Sequence, residues 1–298
     1  MSENAVKNDS ALADTAAIGH DAAPDLKTET KNKIDPAKQN PMYHKKVVFV
    51  EDENDPVNAD AVRGHLEVVG EREYSSTFYE KYIKRVIDVV LSVIGLIVFS
   101  PLLAVTAIAI KLDDPGPVIF RQKRISQGNG YFELMKFRSM RLDTPHNVPT
   151  HQLENPDMYL LRIGKLIRKL SIDELPQLLN IIKGSMSIVG PRPALWNQEF
   201  LIGERDRYGA NDVRPGLTGL AQMSGRDELE IPVKAKLDGE YTAALKKSSL
   251  SGFLMDVRVF FGSILTVLKR DGVVEGRKDD AEDKTAEDES HEFVGSRQ

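Results

Sequence analysis

Between Asp88 and Lys111 the chain runs for 22 residues, Val89 to Ile110, without a charge. That stretch restricts the fold more than any other. A helix needs ~20 apolar residues to cross ~30 Å of hydrocarbon, so the length suits a transmembrane span. Two features oppose a straight crossing. Ser100-Pro101 lies at its middle, where proline deletes a backbone donor and crowds the carbonyl four residues back. Cations also flank both ends: Lys81, Lys84 and Arg85 before, Lys111, Arg121, Lys123 and Arg124 after. The positive-inside rule assigns such flanks to the cytoplasm, and here it assigns both. A helix that enters, breaks at Ser100-Pro101 and returns satisfies both observations. Each half, about 11 residues at ~1.5 Å rise, reaches about 16 Å. Residues 78–112 therefore read as a re-entrant membrane anchor.

Charge is unevenly distributed around that anchor. Residues 1–80 carry 9 Lys+Arg against 16 Asp+Glu, and residues 271–298 carry 4 against 10, leaving the middle of the chain net basic. A basic middle suits anionic headgroups or phosphorylated substrates, although flanking positive charge accounts for part of the excess. With no cysteine, disulfide frameworks and thiol catalysis are excluded. Residues 1–40 are polar and lack an apolar core, which excludes a secretory signal and predicts disorder. His44 to Asp52 forms one strand or a short docking element on this reading. The organisation expected is an acidic, unstructured extension over 1–77, the anchor over 78–112, a catalytic domain over 113–275 and an acidic, disordered tail over 276–298. The fold class is α+β.

Beyond the anchor, Val118–Arg124 and Tyr131–Arg138 read as two short strands joined by Gln127-Gly128-Asn129-Gly130 as a hairpin. Basic residues recur on them at Arg121, Lys123, Arg124, Lys136 and Arg138, with Arg141 just beyond. A solvated face and a phosphate-facing patch explain this equally well. His146 and His151 fall in a polar loop and have no metal-ligand spacing. Helical periodicity over Tyr159–Leu170, with Arg162, Lys165, Arg168 and Lys169 basic, reads as an interfacial amphipathic helix.

Ser171-Ile172-Asp173-Glu174 then fits a capping box, and Gly184 a helix stop. On local pattern the two carboxylates complement a helix dipole, with Pro176 leaving the helix start ambiguous. The chemical reading is that adjacent carboxylates handle phosphoryl groups. One attacks phosphorus while its neighbour holds a magnesium ion, and a helix N-terminus keeps the nucleophile ionised. Pro191-Arg192-Pro193 presents a guanidinium from a stiff segment, suited to clamping phosphate. Arg214 to Arg226 is Gly-rich, with Thr218 and Gln222 able to hydrogen-bond a sugar or base, and it is neither a P-loop nor a dinucleotide fingerprint. Phe253–Leu268 is helical and apolar, but Asp256 and Arg258 argue for core packing or surface docking rather than a second span.

The segments KRVIDVV…FSPLL, VIFRQKRI, MKFRSM, LIRKLSIDELPQLLNIIKGSMSIVGPRP and VRPGLTGLAQMSGR, in this order, resemble the monotopic phosphoglycosyl transferases. These are bacterial priming sugar transferases of capsule, exopolysaccharide and glycoprotein synthesis, and the likeness covers about residues 78–275. The resemblance implies transfer of a sugar-1-phosphate from a UDP-sugar to a polyprenyl phosphate such as undecaprenyl phosphate, releasing UMP. It further implies Asp173 as nucleophile, with Glu174 assisting and both carboxylates serving Mg2+. Arg168, Arg192 and Arg214 are implied to contact phosphates; Lys136 and Arg138 match the family's basic strand; Thr218, Gln222 and Arg226 match a segment near the nucleotide. Ser100 and Pro101 match its helix break, which puts the enzyme at the cell membrane with the catalytic domain and both termini cytoplasmic. Asp256 matches an acidic family position of unassigned role. The implied partners are the UDP-sugar, polyprenyl phosphate and the membrane, with no nucleic acid; a homodimer is left open. The N-terminal extension lacks the membrane bundle of larger members, so the chain looks like the small catalytic form.

Overall fold

The computed structural model describes residues 40–51, 64–144, 155–225 and 229–269. His146, His151, Arg226 and the acidic tail lie outside these residues. Strands β1 (Lys45–Glu51) and β2 (Gly64–Glu71) form an antiparallel pair, so the stretch assigned by composition to an unstructured extension contains a hairpin. Helices α1 (Lys84–Val98) and α2 (Ser100–Asp113) follow, then the antiparallel hairpin β3 (Ile119–Ile125) and β4 (Tyr131–Phe137). Next come α3 (Gly164–Lys169), α4 (Gln177–Lys183), β5 (Ser187–Val189), α5 (Glu199–Arg207) and β6 (Gly216–Thr218). Helices α6 (Leu220–Met223), α7 (Ile231–Lys247) and α8 (Ser249–Lys269) complete the described chain. Three two-stranded sheets among many helices make the class α+β, as expected.

The break falls where the sequence puts it. The segments Tyr79–Val98 and Ser100–Asp113 meet at 62°. Pro101 sits in the first turn of α2, where its missing N–H is no loss, and Ser100 Oγ donates to the Ile97 carbonyl at 2.7 Å. The burial of α1 is inverted relative to a soluble helix. Its buried residues are Lys84, Asp88 and Ser92, while Val86, Val90, Ile94, Ile97 and Val98 are exposed. Positions four apart share a helix face, so one polar stripe faces the protein and most of the apolar residues face out, Leu96 packing on the core formed by β4 and α4.

That polar stripe fastens α1 to the rest of the domain. The Asp88 carboxylate accepts from Ser187 Oγ at 2.7 Å and from the Ile188 N–H at 3.0 Å, holding β5. Arg85 donates to the carbonyls of Ile181 and Ile182 at the end of α4. Lys84 Nζ lies 2.7 Å from Asp256 on α8, whose carboxylate also accepts from the hydroxyls of Tyr79 and Tyr241. Asp256 therefore belongs to a buried polar junction of α1, α7 and α8, while little of Ser249–Thr266 is buried, so the choice between core packing and surface docking stays open for the rest of the helix. Helix α8 is nonetheless long and apolar enough to cross a membrane, with Leu250, Leu254, Phe261 and Leu265 exposed. Replacing Asp256 by Ala strands a buried ammonium and two hydroxyls. A loss of about 3–5 kcal/mol is expected, read as a lowered thermal midpoint in detergent.

Two local expectations fail. Tyr159–Leu170 is not one helix, because Leu161 N donates to the Ser139 carbonyl and Arg141 N to the Tyr159 carbonyl. That extended pairing with the chain leaving β4 leaves only Gly164–Lys169 helical. Nor is there a capping box. Ser171 is left-handed, with φ 55°, and makes no cap hydrogen bond; α4 starts at Gln177, after Pro176. Gly184 ends α4 in the left-handed conformation, as expected.

Candidate active site

Asp173 and Glu174 occupy a short 3-10 turn, Ile172–Glu174, between α3 and α4. Left-handed Ser171 reverses the chain into this turn, a conformation that costs a non-glycine residue free energy. The turn packs on β4 and α3. Its far side is fixed through Asn180 on α4, which accepts from Met135 N at 2.9 Å and donates to the Glu133 carbonyl at 2.7 Å. One buried amide thus docks α4 onto β4 as a further strand would.

The β-pleat turns alternate residues to one face, and the register pairs Phe120 with Lys136 and Arg124 with Phe132. Lys136 and Arg124 therefore share a face of the hairpin, the one that meets the carboxylates. Four cations converge there. Glu174 Oε1 receives Arg192 Nη2 at 2.6 Å. Lys136, Arg168 and Arg192 all act on Asp173, and Arg124 feels both Glu174 and Arg192. Arg124 itself is held by the Pro193 carbonyl at 3.0 Å and by Gln122 at 2.6 Å.

Electrostatics at Asp173 run against the helix-dipole expectation. Burial first, and the neighbouring Glu174 carboxylate second, push its carboxyl up to about 6, while Lys136, Arg168 and Arg192 pull the other way. No helix dipole dominates, because the pair precedes α4 by a turn and a proline. Burial likewise lowers Lys136 to about 8 and Arg124 to about 10. A carboxylate, two adjacent cations and a neighbouring carboxylate, all partly desolvated, form a site that gains from binding phosphate.

The Pro-Arg-Pro segment is positioned by glycines. Strand β5 runs parallel to β6, with Gly190 N donating to the Thr218 carbonyl at 2.8 Å and Gly216 N to the Pro191 carbonyl at 2.8 Å. A Cβ at Gly190 would come within 2.4 Å of the Arg214 carbonyl oxygen, so only glycine admits this approach. From α5, Arg205 Nη1 donates to the Arg192 carbonyl at 2.7 Å while its guanidinium pairs with buried Asp238 at 2.6 Å.

Of the residues expected at the site, Asp173, Glu174, Lys136, Arg168 and Arg192 come together. Arg138 does not join them: it is buried and paired with Asp114 at 3.0 Å, at the exit of α2. Arg214 acts instead on Tyr74 and Glu80. Thr218 Oγ1 lies 2.6 Å from Ser263 Oγ on α8, and Gln222 Nε2 donates to the Leu217 carbonyl at 3.2 Å. Arg124 was the cation missing from the expected set, although strand alternation with Lys136 puts it on the same face. Asp88, which read only as the charge bounding the apolar run, was missed as the residue holding β5.

Comparison with known proteins identifies the family. The family described as Bacterial sugar transferase matches residues 79–270. A UDP-N-acetylgalactosamine-undecaprenyl-phosphate N-acetylgalactosaminephosphotransferase of Aeromonas hydrophila is 40% identical over 195 residues, covering 63% of this chain and 44% of that protein. A UDP-glucose:undecaprenyl-phosphate glucose-1-phosphate transferase of Caulobacter vibrioides is 45% identical over 146 residues, 48% of this chain and 54% of that protein. The chain thus spans about half the length of these two relatives. Against the exopolysaccharide production protein PSS of Rhizobium leguminosarum, 36% identical over 197 residues, the match covers 63% of this chain and 96% of that protein. The matched segment runs from the turn entering α1 to the end of α8 and contains the acidic turn with every cation around it; the chain belongs to the bacterial sugar transferase family.

Proposed function

We propose that the chain transfers a sugar-1-phosphate from a UDP-sugar to undecaprenyl phosphate or a related polyprenyl phosphate, releasing UMP, at the first membrane step of exopolysaccharide, capsule or glycan assembly. The observation that carries this is the turn of buried Asp173 and partly exposed Glu174 with Lys136, Arg168, Arg192 and Arg124 gathered on it. The names of the relatives supply the substrate classes.

In the first step an Asp173 carboxylate oxygen attacks the β-phosphorus of the UDP-sugar. The bond from that phosphorus to the bridging oxygen breaks, and UMP leaves with the electron pair. In the second step a phosphate oxygen of the polyprenyl phosphate attacks the same phosphorus and Asp173 departs as carboxylate. Arg192, stiffened between two prolines and held by Arg205, orients the diphosphate, with Lys136 and Arg168 offsetting charge on the transferring phosphoryl group. Adjacent carboxylates, with Asp173 raised first by burial and second by Glu174, are the oxygen-donor type that suits magnesium, which commonly takes one or two carboxylates together with substrate phosphates. Bound there by Asp173 and Glu174, Mg2+ would neutralise charge on the departing UMP.

The same reading places the site at a membrane. The exposed apolar residues of α1 and α2 enter lipid from one face as a re-entrant, monotopic anchor, and the buried polar stripe of α1 fixes the acidic turn at headgroup depth. Both termini are then cytoplasmic. Tags at residues 5 and 295 are expected to resist protease added to intact cells; cleavage of the N-terminal tag alone would restore a simple span.

Assaying UMP release across a panel of UDP-sugars, with undecaprenyl phosphate and Mg2+, tests the activity. Sustained release is expected for one sugar and only with the lipid phosphate present. Equal release without it would make the protein a hydrolase.

A further inference from the structure

Arg72 lies outside the segment that matches the family, yet its side chain is only 4% exposed. The guanidinium makes ion pairs with Asp206 and Asp212, and its Nε donates to the Lys45 carbonyl at 3.1 Å. Asp206 is fully buried at the end of α5 and collects donors from three parts of the chain. They are Val47 N on β1 at 2.9 Å, Asn129 Nδ2 in the β3–β4 turn at 2.7 Å and Asn211 Nδ2 ahead of β6 at 2.9 Å. Among the described residues the ion pair of Asp206 is with Arg72. Strand β1 lies directly on α5: a Cβ at Gly203 would come within 2.4 Å of Phe49 N, and the rings of Phe49 and Phe200 meet edge-on at 5.1 Å.

From the opposite side of this junction α5 reaches the site, since its Arg205 holds the Arg192 carbonyl. Val47 also shares an apolar cluster with Ile125, Ile202 and Ala194, two residues beyond Arg192. We infer that the N-terminal hairpin is a built-in brace of the catalytic domain, and that Arg72 is a positioning residue which, through Asp206 and α5, fixes where Arg192 stands relative to Glu174. The physical reason is twofold: Arg72 ties the Lys45 carbonyl of β1 to Asp206 and Asp212, and a buried carboxylate without a cation is costly. Burial raises Asp206, and Arg72 is the first influence pulling it back. With Arg72 removed, α5 and the chain before β6 relax toward water, carrying the Arg192 carbonyl with them.

The kinetic arm of the test rests on the transferase reading; the exchange arm does not. Full-length protein with Arg72→Met is compared with Arg72→Lys and with the pair Arg72→Met/Asp206→Asn. In Arg72→Met, amide hydrogen exchange is expected to rise at Gly190 and Gly216, whose amides donate to the Thr218 and Pro191 carbonyls, and over 200–213, while α1 keeps parental protection. UMP release is expected to fall about tenfold in kcat/KM, mainly through KM for the nucleotide sugar, since small displacements of a clamp are costly. Arg72→Lys should recover only part of both, because it restores a cation for Asp206 but not the fork that also reaches Asp212 and the Lys45 carbonyl. Parental exchange at Gly190 and Gly216 in folded Arg72→Met overturns the proposal, even if the parent proves to release no UMP. Should Arg72→Met not fold, the charge-free pair decides by the same exchange measurement. It is expected to fold, since no charge is stranded, with Gly190 and Gly216 still loosened by loss of the Arg72 tie, and parental protection there overturns the brace.

Discussion

Asp173→Asn is expected to abolish UMP release, by at least about a thousandfold, and covalent labelling by the sugar-phosphate donor, while making the protein more stable. Loss of a nucleophile removes the covalent route outright, and an amide oxygen in the same place attacks phosphorus far more weakly. The stability change follows from linkage. Asp173 is pushed from 3.8 in the unfolded chain to about 6 in the fold, so its ionised form is disfavoured by folding. A carboxyl raised in this way costs nothing below its unfolded value. The cost grows from about pH 4 and is complete above about pH 6. Two units correspond to about 3 kcal/mol at most, and the neutral amide avoids that cost while keeping the shape. A rise of about 1–3 kcal/mol at pH 7.5 is expected in denaturant unfolding, shrinking as the pH approaches 4. Undiminished transferase activity would remove Asp173 from the chemistry, and a destabilised Asn variant would mean that its surroundings are built to hold the charge. Partition into membranes should not change, because α1 is fastened through Lys84, Arg85 and Asp88 rather than through the acidic turn.

Much of this site was legible in the sequence because its determinants are local. The carboxylate pair is adjacent, Pro-Arg-Pro is contiguous, the hairpin carries its own turn and the helix break is announced by proline. What escaped is what only tertiary contact decides. Arg138 and Arg214 occupy the same kind of basic motif as Lys136 and Arg192, yet the fold gives Arg138 to Asp114 and sets Arg214 beside Glu80. Nothing in the one-dimensional spacing separates a cation that gathers on the acidic turn from one that closes a helix exit. The Tyr159–Leu170 periodicity was genuine but outweighed by backbone pairing with the strand exit at Ser139, a long-range bond that pattern cannot reveal. Asp88 is the more instructive miss. A charge ending an apolar run looks like a boundary, but its buried carboxylate accepts from Ser187 Oγ and the Ile188 N–H at the start of β5.

Lys136→Met is expected to produce the second large effect, a combined loss of rate and a displaced pH profile in the first half-reaction. With the polyprenyl phosphate omitted, the UMP burst reports the protein's own titrations rather than those of the lipid acceptor. The parent should be most active between about pH 6 and 8. Below 6 Asp173 is protonated and the rate falls about tenfold per pH unit; above 8 Lys136 loses its charge. Lys136 is the first of the cations pulling the Asp173 carboxyl down, so removing it must raise that carboxyl further and move the acid limb to higher pH. The alkaline limb should vanish, since Lys136 no longer titrates. At pH 7 the variant is thus penalised twice, by a smaller ionised fraction of Asp173 and by a lost charge on the transferring phosphoryl group, for a combined fall of about a hundredfold to a thousandfold. Lys136→Arg should keep the acid limb near its parental position and lose the alkaline one, because guanidinium stays charged. An acid limb that stays at parental pH in Lys136→Met would show that this ammonium does not act on the nucleophile. The rate loss would then belong to substrate binding, visible as a change in KM with the burst rate at saturation intact.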